Sequence, residues 1–348
     1  MHTDDTYMQR CIDLALPGLG YVAPNPMVGA VVVFKGDIIG EGFHRRHGGH
    51  HAEVEAIQAV SDKSKLKRST LYVNLEPCCH HGKTPPCTDL IRQSGIPRVV
   101  IGTVDPFDAV AGKGIARLRS HGISVTVGIM KDACRELNKR FFTFYEKKRP
   151  YIILKWAQTA DGFIDINRKP NAEKRPTWIT SEKLRMLVHK WRTEEAAIMV
   201  GTETALKDNP MLNVRDWHGP GPTRIVIDRK LKLKANYHLI DDSQPTFVFN
   251  EVQNKIKGQT RYVQIPFNKS ILPELLKVLY QEQIQSLIVE GGRKTLQSFI
   301  DNSLWDEARI FTGNQFFCNG IKAPDLISFK NKAHIIIGQE GFYRIKNS

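Results

Sequence analysis

The feature that most constrains the fold of this chain is a set of cysteine and histidine residues in two short segments. The first segment is His51-Ala52-Glu53, and the second reads Glu-Pro-Cys-Cys-His-His-Gly-Lys-Thr-Pro-Pro-Cys from Glu76 to Cys87. Imidazole and thiolate groups are ligands that zinc prefers in proteins. If both segments bind one ion, the fold must bring them together at a single point.

We predict that His51, Cys78 and Cys87 bind one zinc ion and that Glu53 stays unbound beside it. Three protein ligands leave the fourth zinc position for water, and the metal lowers the pKa of that water to about 7. Glu53 could then take a proton from the water and deliver it to a departing ammonia, as in the zinc-dependent nucleobase deaminases. Cys79 could replace Cys78 on spacing alone, but the proline immediately before Cys78 favours Cys78.

A closed structural zinc site is the alternative, because His80 or His81 could supply a fourth ligand. That arrangement would leave Glu53 without a role, so the joint presence of H-x-E and P-C favours a catalytic metal. His80, His81 and Lys83 are also candidates to face a substrate, although a lone histidine is more often structural.

Length and composition indicate a globular protein with two domains. A single core rarely keeps growing at 348 residues, and 41% hydrophobic with 25% charged residues is ordinary for globular domains. We expect a soluble, cytoplasmic protein, because no stretch approaches the roughly 20 apolar residues of a membrane span and the acidic start is unlike a signal peptide. Crowding of three cysteines beside histidines favours metal binding over disulfides, and we expect Cys11, Cys134 and Cys318 to be buried thiols.

The net charge of +14 invites a nucleic-acid hypothesis, which the charge distribution does not favour. Lys and Arg exceed Asp and Glu by 21 to 15 in residues 1–150 and by 29 to 21 in the rest, so the excess is spread evenly. The basic runs at 63–68 and 147–149 lack the interleaved aromatic residues of a stacking surface. We therefore expect no nucleic-acid partner, and the positive sign fits a phosphorylated small-molecule substrate. We also expect no membrane partner and a homo-oligomer.

Strand and helix patterns alternate in the first part of the chain. Short β-branched runs predict strands at 27–34, 70–75, 98–103 and 123–127. Helical patterns lie between them at 7–16, 52–60, 88–94, 113–120 and 132–141. This alternation predicts a three-layer α/β/α domain.

A charge run that ends in Pro150 predicts the boundary between domains at 1–147 and 150–348. In the second part, Ser181 is a good N-cap for a helix that extends to about Arg192. Strands are predicted at 151–156, 197–200, 224–227, 246–249, 286–289, 309–312 and 333–337. The second domain is therefore also expected to be α/β.

A glycine-rich turn follows the strand at 286–289, although the second part has no G-x-G-x-x-G sequence. The turn reads Glu290-Gly291-Gly292-Arg293-Lys294-Thr295 and leads into a helical pattern. Such glycines let a phosphate reach backbone N–H groups at the positive end of a helix, and Arg293 and Lys294 could add charge. A tight strand-to-helix connection explains the same glycines equally well.

Asn25 lies upstream, in Pro24-Asn25-Pro26-Met27-Val28-Gly29. Its amide offers a donor and an acceptor that could read a base edge, although turn chemistry between two prolines is the simpler explanation of the residue alone. Taken with His51-Ala52-Glu53 and the segment from Glu76 to Cys87, this sequence resembles the bifunctional riboflavin-biosynthesis deaminase/reductases. The long interval between the two cysteines distinguishes that family from cytidine and tRNA-adenosine deaminases. Cys79 replaces the serine that is common there.

The resemblance covers essentially the whole chain. In the second part it rests on Lys155–Gly162, Trp178–Ser181, Arg192 and Gly201–Arg215, with Thr159, Ala160 and Asn209 departing from the usual residues. It implies a cytidine-deaminase-like first domain and a second domain similar in fold to dihydrofolate reductase. It also implies two cofactors, Zn²⁺ and NADPH.

The resemblance further implies two consecutive reactions. The first domain would hydrolyse the 2-amino group of 2,5-diamino-6-ribosylamino-4(3H)-pyrimidinone 5′-phosphate, and the second would reduce the ribosylamino side chain to ribitylamino with NADPH. The nucleotide is assigned to Gln158, Trp178, Thr204, Asp208, Gly292, Arg293, Lys294 and Thr295. Substrate is assigned to Asn25, Arg192, Leu212, Arg215 and Glu290. Arginine suits a phosphate because it is permanently charged and binds two oxygens at once.

Overall fold

The chain forms two compact units, Met1–Lys148 and Arg149–Ser348. The structure, a computed structural model, describes residues 3–79, 85–168, 173, 175–268, 270–326, 332–337 and 340–347. Each unit has its own sheet and its own core. No helix in these ranges is long and apolar enough to cross a membrane.

Unit 1, Met1–Lys148, contains a five-stranded sheet in the order β2-β1-β3-β4-β5. Its strands are β1 (Gly29–Phe34), β2 (Asp37–Phe43), β3 (Thr70–Leu75), β4 (Arg98–Thr103) and β5 (Ser124–Val127). Its helices are α1 (Asp4–Ala15), α2 (Ala52–Ala59), α3 (Cys87–Gln93), α4 (Lys113–Ser120), α5 (Lys131–Leu137) and α6 (Lys139–Lys147). Strands β3, β4 and β5 are parallel, whereas β1 and β2 are antiparallel to their neighbours.

Alternation along β1 places apolar side chains on both faces of this sheet, because successive strand residues point in opposite directions. Ala30 and Val32 pack in the core formed with α2, α3 and α4. Val31 and Val33 pack in the core formed with α1 and α5. The predicted three-layer α/β/α arrangement is therefore confirmed for unit 1.

Two predictions for this unit were incomplete. Strand β2 was missed because its glycines weaken the β pattern, yet those glycines let α2 approach closely: a Cβ on Gly40 would lie 2.3 Å from the Ala56 carbonyl oxygen. The single helix predicted at 132–141 is wrong, since α5 and α6 are separate helices. They divide at Asn138, whose side chain bonds both the N–H and the carbonyl of Met27 at 2.8 Å.

Unit 2, Arg149–Ser348, contains a ten-stranded sheet in the order β11-β12-β10-β9-β8-β13-β6-β14-β17-β16. Its strands, with the small pair β7 and β15, are β6 (Tyr151–Gln158), β7 (Phe163–Asp165), β8 (Ala197–Gly201), β9 (Thr223–Ile227), β10 (Thr246–Asn250), β11 (Lys255–Lys257), β12 (Thr260–Gln264), β13 (Ser286–Val289), β14 (Glu307–Thr312), β15 (Ile321–Lys322), β16 (Lys332–Ile337) and β17 (Glu340–Lys346). Its helices are α7 (Glu182–Glu194), α8 (Thr202–Asp208), α9 (Leu272–Gln281) and α10 (Arg293–Asp301).

The sheet of unit 2 is also covered on both faces, which confirms the predicted α/β class. Ile152 and Leu154 of β6 pack in the core formed with α9 and α10, whereas Tyr151 and Ile153 pack in the core formed with α7. The strands from β12 to β14 in the sheet order are parallel, so their carboxyl ends lie along one edge. Ligands bind at such an edge in open α/β sheets.

The predicted strands of unit 2 all occur, but several elements were missed. Helices α8 and α9 and strands β7, β11, β12, β15 and β17 had no counterpart in the prediction. Several of these strands are short or charged, so they carry little of the apolar alternation on which strand prediction depends. The expectation of a buried Cys318 is wrong, because the residue is exposed in the loop after β14.

Candidate active sites

Three elements of unit 1 bring the expected zinc ligands together. His51 is the residue before α2, Cys78 follows β3, and Cys87 is the first residue of α3. The Nδ1 atom of His51 lies 3.3 Å from Cys87 Sγ and 3.6 Å from Cys78 Sγ. All three atoms lie within 4.8 Å of one another, and Cys79 is not part of this group.

The donor set fits zinc in both its chemistry and its electrostatics. The hydrogen bond from the Cys87 thiol, followed by that from His51, lowers the pKa of Cys78 to about 4, although burial opposes this shift. The same contact and burial raise the pKa of Cys87. The backbone N–H of Cys87 donates to Cys78 Sγ at 3.3 Å, and the start of a helix favours thiolate. Zinc binding to this set would displace protons, as expected for thiol and imidazole ligands.

Glu53 lies in the first turn of α2, two residues after His51, with only 3% of its surface exposed. Burial raises its pKa above that of an ordinary glutamate, although the charge of His51 acts in the opposite direction. Its side chain lines a cavity of about 320 Å³, together with His51 and Cys78. The carboxyl therefore faces the space beside the metal-binding atoms.

Asn25 lines the same cavity, and a neighbouring histidine fixes its orientation. His44 Nδ1 lies 2.8 Å from the His50 carbonyl oxygen, which can only accept, so Nδ1 carries the proton. His44 Nε2 must then accept from Asn25 Nδ2 at 3.0 Å. Burial lowers the pKa of His44, in agreement with a neutral ring. This arrangement leaves the amide oxygen of Asn25 for a ligand.

Several cavity residues were missed by the sequence analysis. The cavity wall includes His44, Asp105, Phe107, Phe141 and Tyr145. Asp105 follows the carboxyl end of β4, and burial raises its pKa to about 7. The position of Asp105 after a parallel strand was the available signal. His80, His81 and Lys83 lie outside the described residues, so their expected roles stay predictions.

A network of charged side chains in unit 2 contains most of the expected substrate residues. Arg192 of α7 pairs with Glu290 after β13, with Nη2 2.9 Å from Oε2, and its Nη1 donates to the Asn213 carbonyl at 2.9 Å. Burial raises the pKa of Glu290, but the charges of Arg192 and Lys155 outweigh burial and lower it to about 2. Leu212 is buried with a left-handed φ of 50°, in the segment that continues to Arg215.

His189 is a further residue that the sequence analysis missed in this network. Its Nδ1 accepts from the Arg215 backbone N–H at 3.3 Å, and its Nε2 lies 3.3 Å from Asp216 Oδ2. Burial, followed by the charges of Arg192 and Arg215, lowers its pKa to about 4. The ring is therefore neutral and links α7 to the segment that carries Arg215. Its position three residues before Arg192 was the available signal, because both lie on one helix face.

The expected nucleotide residues divide into three groups. Thr204, Gly292 and Thr295 converge where α8 and α10 begin: a Cβ on Gly292 would lie 3.0 Å from Thr204 Oγ1, and one on Gly201 would lie 2.6 Å from Thr295 Oγ1. Gly292 has a φ of 68°, which glycine adopts without strain. The backbone can therefore approach a phosphate closely at this turn.

Gln158 and Trp178 meet the segment after β14. The carbonyl of Gln158 accepts from Gly313 N at 2.9 Å, and the carbonyl of Trp178 accepts from Gln315 Nε2 at 3.2 Å. Trp178 is half exposed, with Arg185 stacked on its ring.

The three remaining nucleotide candidates are charged. Asp208 pairs with Arg168 at 2.9 Å and Arg293 with Asp325 at 3.0 Å, while Lys294 is exposed. Each of the two paired side chains would have to exchange its present partner for a nucleotide.

Comparison with known proteins finds a matching family model in each unit. A family model described as the cytidine and deoxycytidylate deaminase zinc-binding region matches residues 1–103, and one described as the RibD C-terminal domain matches residues 150–329. Riboflavin biosynthesis protein RibD of Aquifex aeolicus is 41% identical over 93% of this chain and 90% of its own length.

Two solved structures are similar over nearly the whole chain. One is a diaminohydroxyphosphoribosylaminopyrimidine deaminase/5-amino-6-(5-phosphoribosylamino)uracil reductase from Thermotoga maritima, with a TM-score of 0.87, 38% identity and 99% of each chain covered. The other is RibD of Acinetobacter baumannii, with a TM-score of 0.86, 29% identity, and coverage of 99% of this chain and 98% of that one.

Proposed function

Because this chain belongs to the RibD family of bifunctional riboflavin-biosynthesis enzymes, we propose which residues perform its two reactions and on which substrates. The chain is a zinc-dependent deaminase in unit 1 and an NADPH-dependent reductase in unit 2. The family resemblance, the cytidine-deaminase-like and dihydrofolate-reductase-like folds and the two cofactors expected from the sequence are thereby confirmed.

We propose the substrates from the two activities that name the Thermotoga maritima relative. Unit 1 removes the 2-amino group of the diaminopyrimidinone ribosylamino phosphate as ammonia. Unit 2 then reduces the ribosylamino side chain of the product to ribitylamino. A cavity of about 320 Å³ in unit 1 suits a substrate of this class, since small-molecule sites begin at about 300 Å³.

For deamination, we assign the metal to His51, Cys78 and Cys87. When bound, zinc supplies a Lewis acid that makes water nucleophilic near neutral pH. Glu53 takes the proton of that water and delivers it to the departing ammonia, a general acid–base role that suits a buried carboxyl. Asn25, held by His44, binds an edge of the ring through its free amide oxygen.

The apolar walls of the cavity complete the deaminase site. Phe107 and Tyr145 pack with ring centroids 5.1 Å apart, and Phe141 contacts Tyr145 at 4.8 Å. Such walls exclude water from the reacting atoms and offer flat surfaces to a pyrimidine ring. Bulk water then competes less with the interactions of Glu53 and Asn25.

For reduction, we assign the substrate phosphate to Arg192 and Arg215, which approach each other through their shared contacts with Asn213. Glu290 holds Arg192 in place by accepting from its Nη2 at 2.9 Å and from its Nε at 3.5 Å, and the longer of these two bonds involves the oxygen that we assign to the sugar. When bound, NADPH supplies the reducing equivalent. Its phosphates fit the backbone at Gly292 and the hydroxyls of Thr204 and Thr295, at the start of α10.

We further propose that the enzyme acts in the cytoplasm on free metabolites, without a nucleic-acid or membrane partner, and as a homo-oligomer. The even distribution of positive charge between the two halves supports the absence of a nucleic-acid partner. Light scattering of the zinc-loaded protein gives its subunit number, and a mass of one chain would contradict the homo-oligomer.

One observation carries the proposed chemistry: buried Glu53 lines one cavity in unit 1 together with His51 and Cys78, two of the three residues whose metal-binding atoms lie close together. The test is incubation of the zinc-loaded protein with the diamino substrate, with and without NADPH. We expect ammonia release in both cases and NADPH oxidation only after deamination. Absence of ammonia would refute the deaminase assignment, and absence of NADPH oxidation would refute the reductase assignment.

A further inference from the structure

We propose that Glu76 is a positioning residue for deamination, because its carboxylate holds the cavity wall at 105–115 against the segment that carries Cys78. Glu76 precedes Pro77 and Cys78 and is 4% exposed. The inference rests on the deaminase function proposed above and extends it to a residue that binds neither metal nor water in that mechanism.

The carboxylate of Glu76 accepts three backbone hydrogen bonds from one stretch of chain. Its Oε2 accepts from Asp105 N at 3.2 Å and from Gly112 N at 2.9 Å, and its Oε1 accepts from Ile115 N at 3.1 Å. The backbone N–H of Glu76 in turn donates to the carbonyl of Thr103 at 3.0 Å, at the end of β4. A single side chain therefore fastens both ends of the connection between β4 and α4.

The connection that Glu76 fastens forms part of the cavity wall. Asp105, Phe107 and Val110 all line the cavity. Within the segment, Phe107 N donates to Asp105 Oδ1 at 2.8 Å and a turn closes at 107–113, and the Phe107 ring packs on Tyr145 of α6. The bonds to Glu76 add an anchor at each end of the segment.

Close packing joins this wall to the metal-binding segment. A Cβ on Gly114, in the first turn of α4, would lie 2.2 Å from the Pro77 carbonyl oxygen and 3.1 Å from Glu76 Oε1. Displacement of the start of α4 would therefore move the backbone directly before Cys78. The contact leaves no space at position 114 for any side chain larger than the hydrogen atom of glycine.

The chemistry of the anchor requires a carboxylate. Three N–H donors converge on it, and a carboxylate is an acceptor at both oxygens. Its negative charge also lies at the positive end of α4. In a Glu76→Gln variant, the amide would present a donor to at least one N–H group, leaving buried donors without an acceptor, and the segment would shift to relieve this.

The test compares Glu76→Gln with Asp4→Asn, a matched control in the same unit. Asp4 also accepts through both oxygens, from Tyr72 Oη at 2.6 Å and Arg98 Nη2 at 2.8 Å, but it does not line the cavity. The readouts are zinc content, KM and kcat for ammonia release, and affinity for the deaminated product by titration calorimetry in an Arg215→Ala background, which weakens the separate binding of that product by unit 2. Reduction of the deaminated product by unit 2 monitors the rest of the chain.

We expect Glu76→Gln to retain zinc and reductase activity, and to weaken product binding and raise KM by about 10–100-fold, the effect of a small misplacement of binding groups. Asp4→Asn should change thermal stability without changing KM. Wild-type product affinity in Glu76→Gln would overturn the proposal. Loss of zinc from that variant would also overturn it, because Glu76 would then act by holding the metal ligands and not by positioning the cavity wall.

A second variant keeps the test decisive if Glu76→Gln does not fold. Gly114→Ala retains the carboxylate and forces the start of α4 away from Pro77, so it should weaken product binding in the same way. Unchanged product affinity there would contradict the proposal. A wild-type protein that releases no ammonia would refute the proposed function instead, and the product titration would still decide the role of Glu76.

Discussion

The two active sites of this chain gather their functional groups in different ways. In unit 1, Glu53 is two residues from His51, and the metal-binding atoms come from the first residues of helices and the end of a strand. In unit 2, Arg192, Glu290 and Arg215 come from a helix, a turn and an irregular segment. An ion pair joins Arg192 to Glu290, and hydrogen bonds to Asn213 connect Arg192 with the segment that carries Arg215. The first site depends on an added cation, whereas the second supplies its own compensating charges.

This difference determines what a substitution should disturb. Removing a ligand in unit 1 changes metal content, because thiolate and imidazole groups are brought together for that ion. Removing one partner of the buried pair in unit 2 leaves an uncompensated charge and changes folding stability.

The largest effect should come from the metal ligands. We expect Cys78→Ser to reduce zinc from about one ion per chain to nearly none and to abolish ammonia release, because a hydroxyl is a poor substitute for a thiolate. Cys79→Ser, the adjacent control, should retain both, since Cys79 lies outside the donor group. Zinc analysis by mass spectrometry decides between the two cysteines, and zinc loss from Cys79→Ser alone would reverse the assignment.

In unit 2, Glu290→Gln should destabilise the fold by about 3–5 kcal/mol, because the charge of Arg192 would remain buried without its carboxylate partner. Tryptophan fluorescence during urea unfolding measures this effect in unit 2 alone. All five tryptophans belong to that unit: Trp156, Trp178, Trp191, Trp217 and Trp305. Unfolding at the wild-type urea concentration would show that the pair is not a stabilising element.

Arg215 should affect the substrate more than the fold, because its side chain is about half exposed. Arg215→Ala should raise the reductase KM about 10–150-fold, which corresponds to the loss of a charged hydrogen bond worth about 1.5–3 kcal/mol. Arg215→Lys should recover part of the affinity, since the charge remains without the planar fork. Steady-state NADPH oxidation gives kcat and KM for each variant. A change in kcat without a change in KM would contradict a phosphate-binding role.

The smallest effect concerns His189. Its pKa of about 4 in the folded chain lies below the value of about 6.5 for an unfolded histidine, so the unfolded chain binds more protons between these pH values. The stability of unit 2 should therefore fall by about 2 kcal/mol as the pH drops from about 6.5 to about 5. Tryptophan-detected unfolding should show this loss in the wild type and not in His189→Gln. Parallel pH curves would exclude the assigned protonation state.

The same contrast explains what could be predicted from the sequence. His51, Glu53 and the two cysteine ligands occur at motif spacings, so the first site could be predicted before any fold was known. The contacts of His189 and Glu76 could not, because they form only when segments distant in sequence meet; for His189 the sequence offered no more than its place on the same helix face as Arg192. Strand β2 was missed for a related reason. Its glycines are required because α2 packs closely against the strand, and that contact exists only in the folded chain.

The most direct test of two separate sites in one chain is the Glu53→Gln variant, with Glu55→Gln on the same helix as its control. We predict that Glu53→Gln retains zinc, loses about 10²–10⁴-fold in ammonia release, and reduces the deaminated product with NADPH at the wild-type rate. Glu55→Gln should behave as the wild type in both assays. Deamination by Glu53→Gln at the wild-type rate, or equal loss of both activities, would contradict the account of two separate sites, one for each reaction.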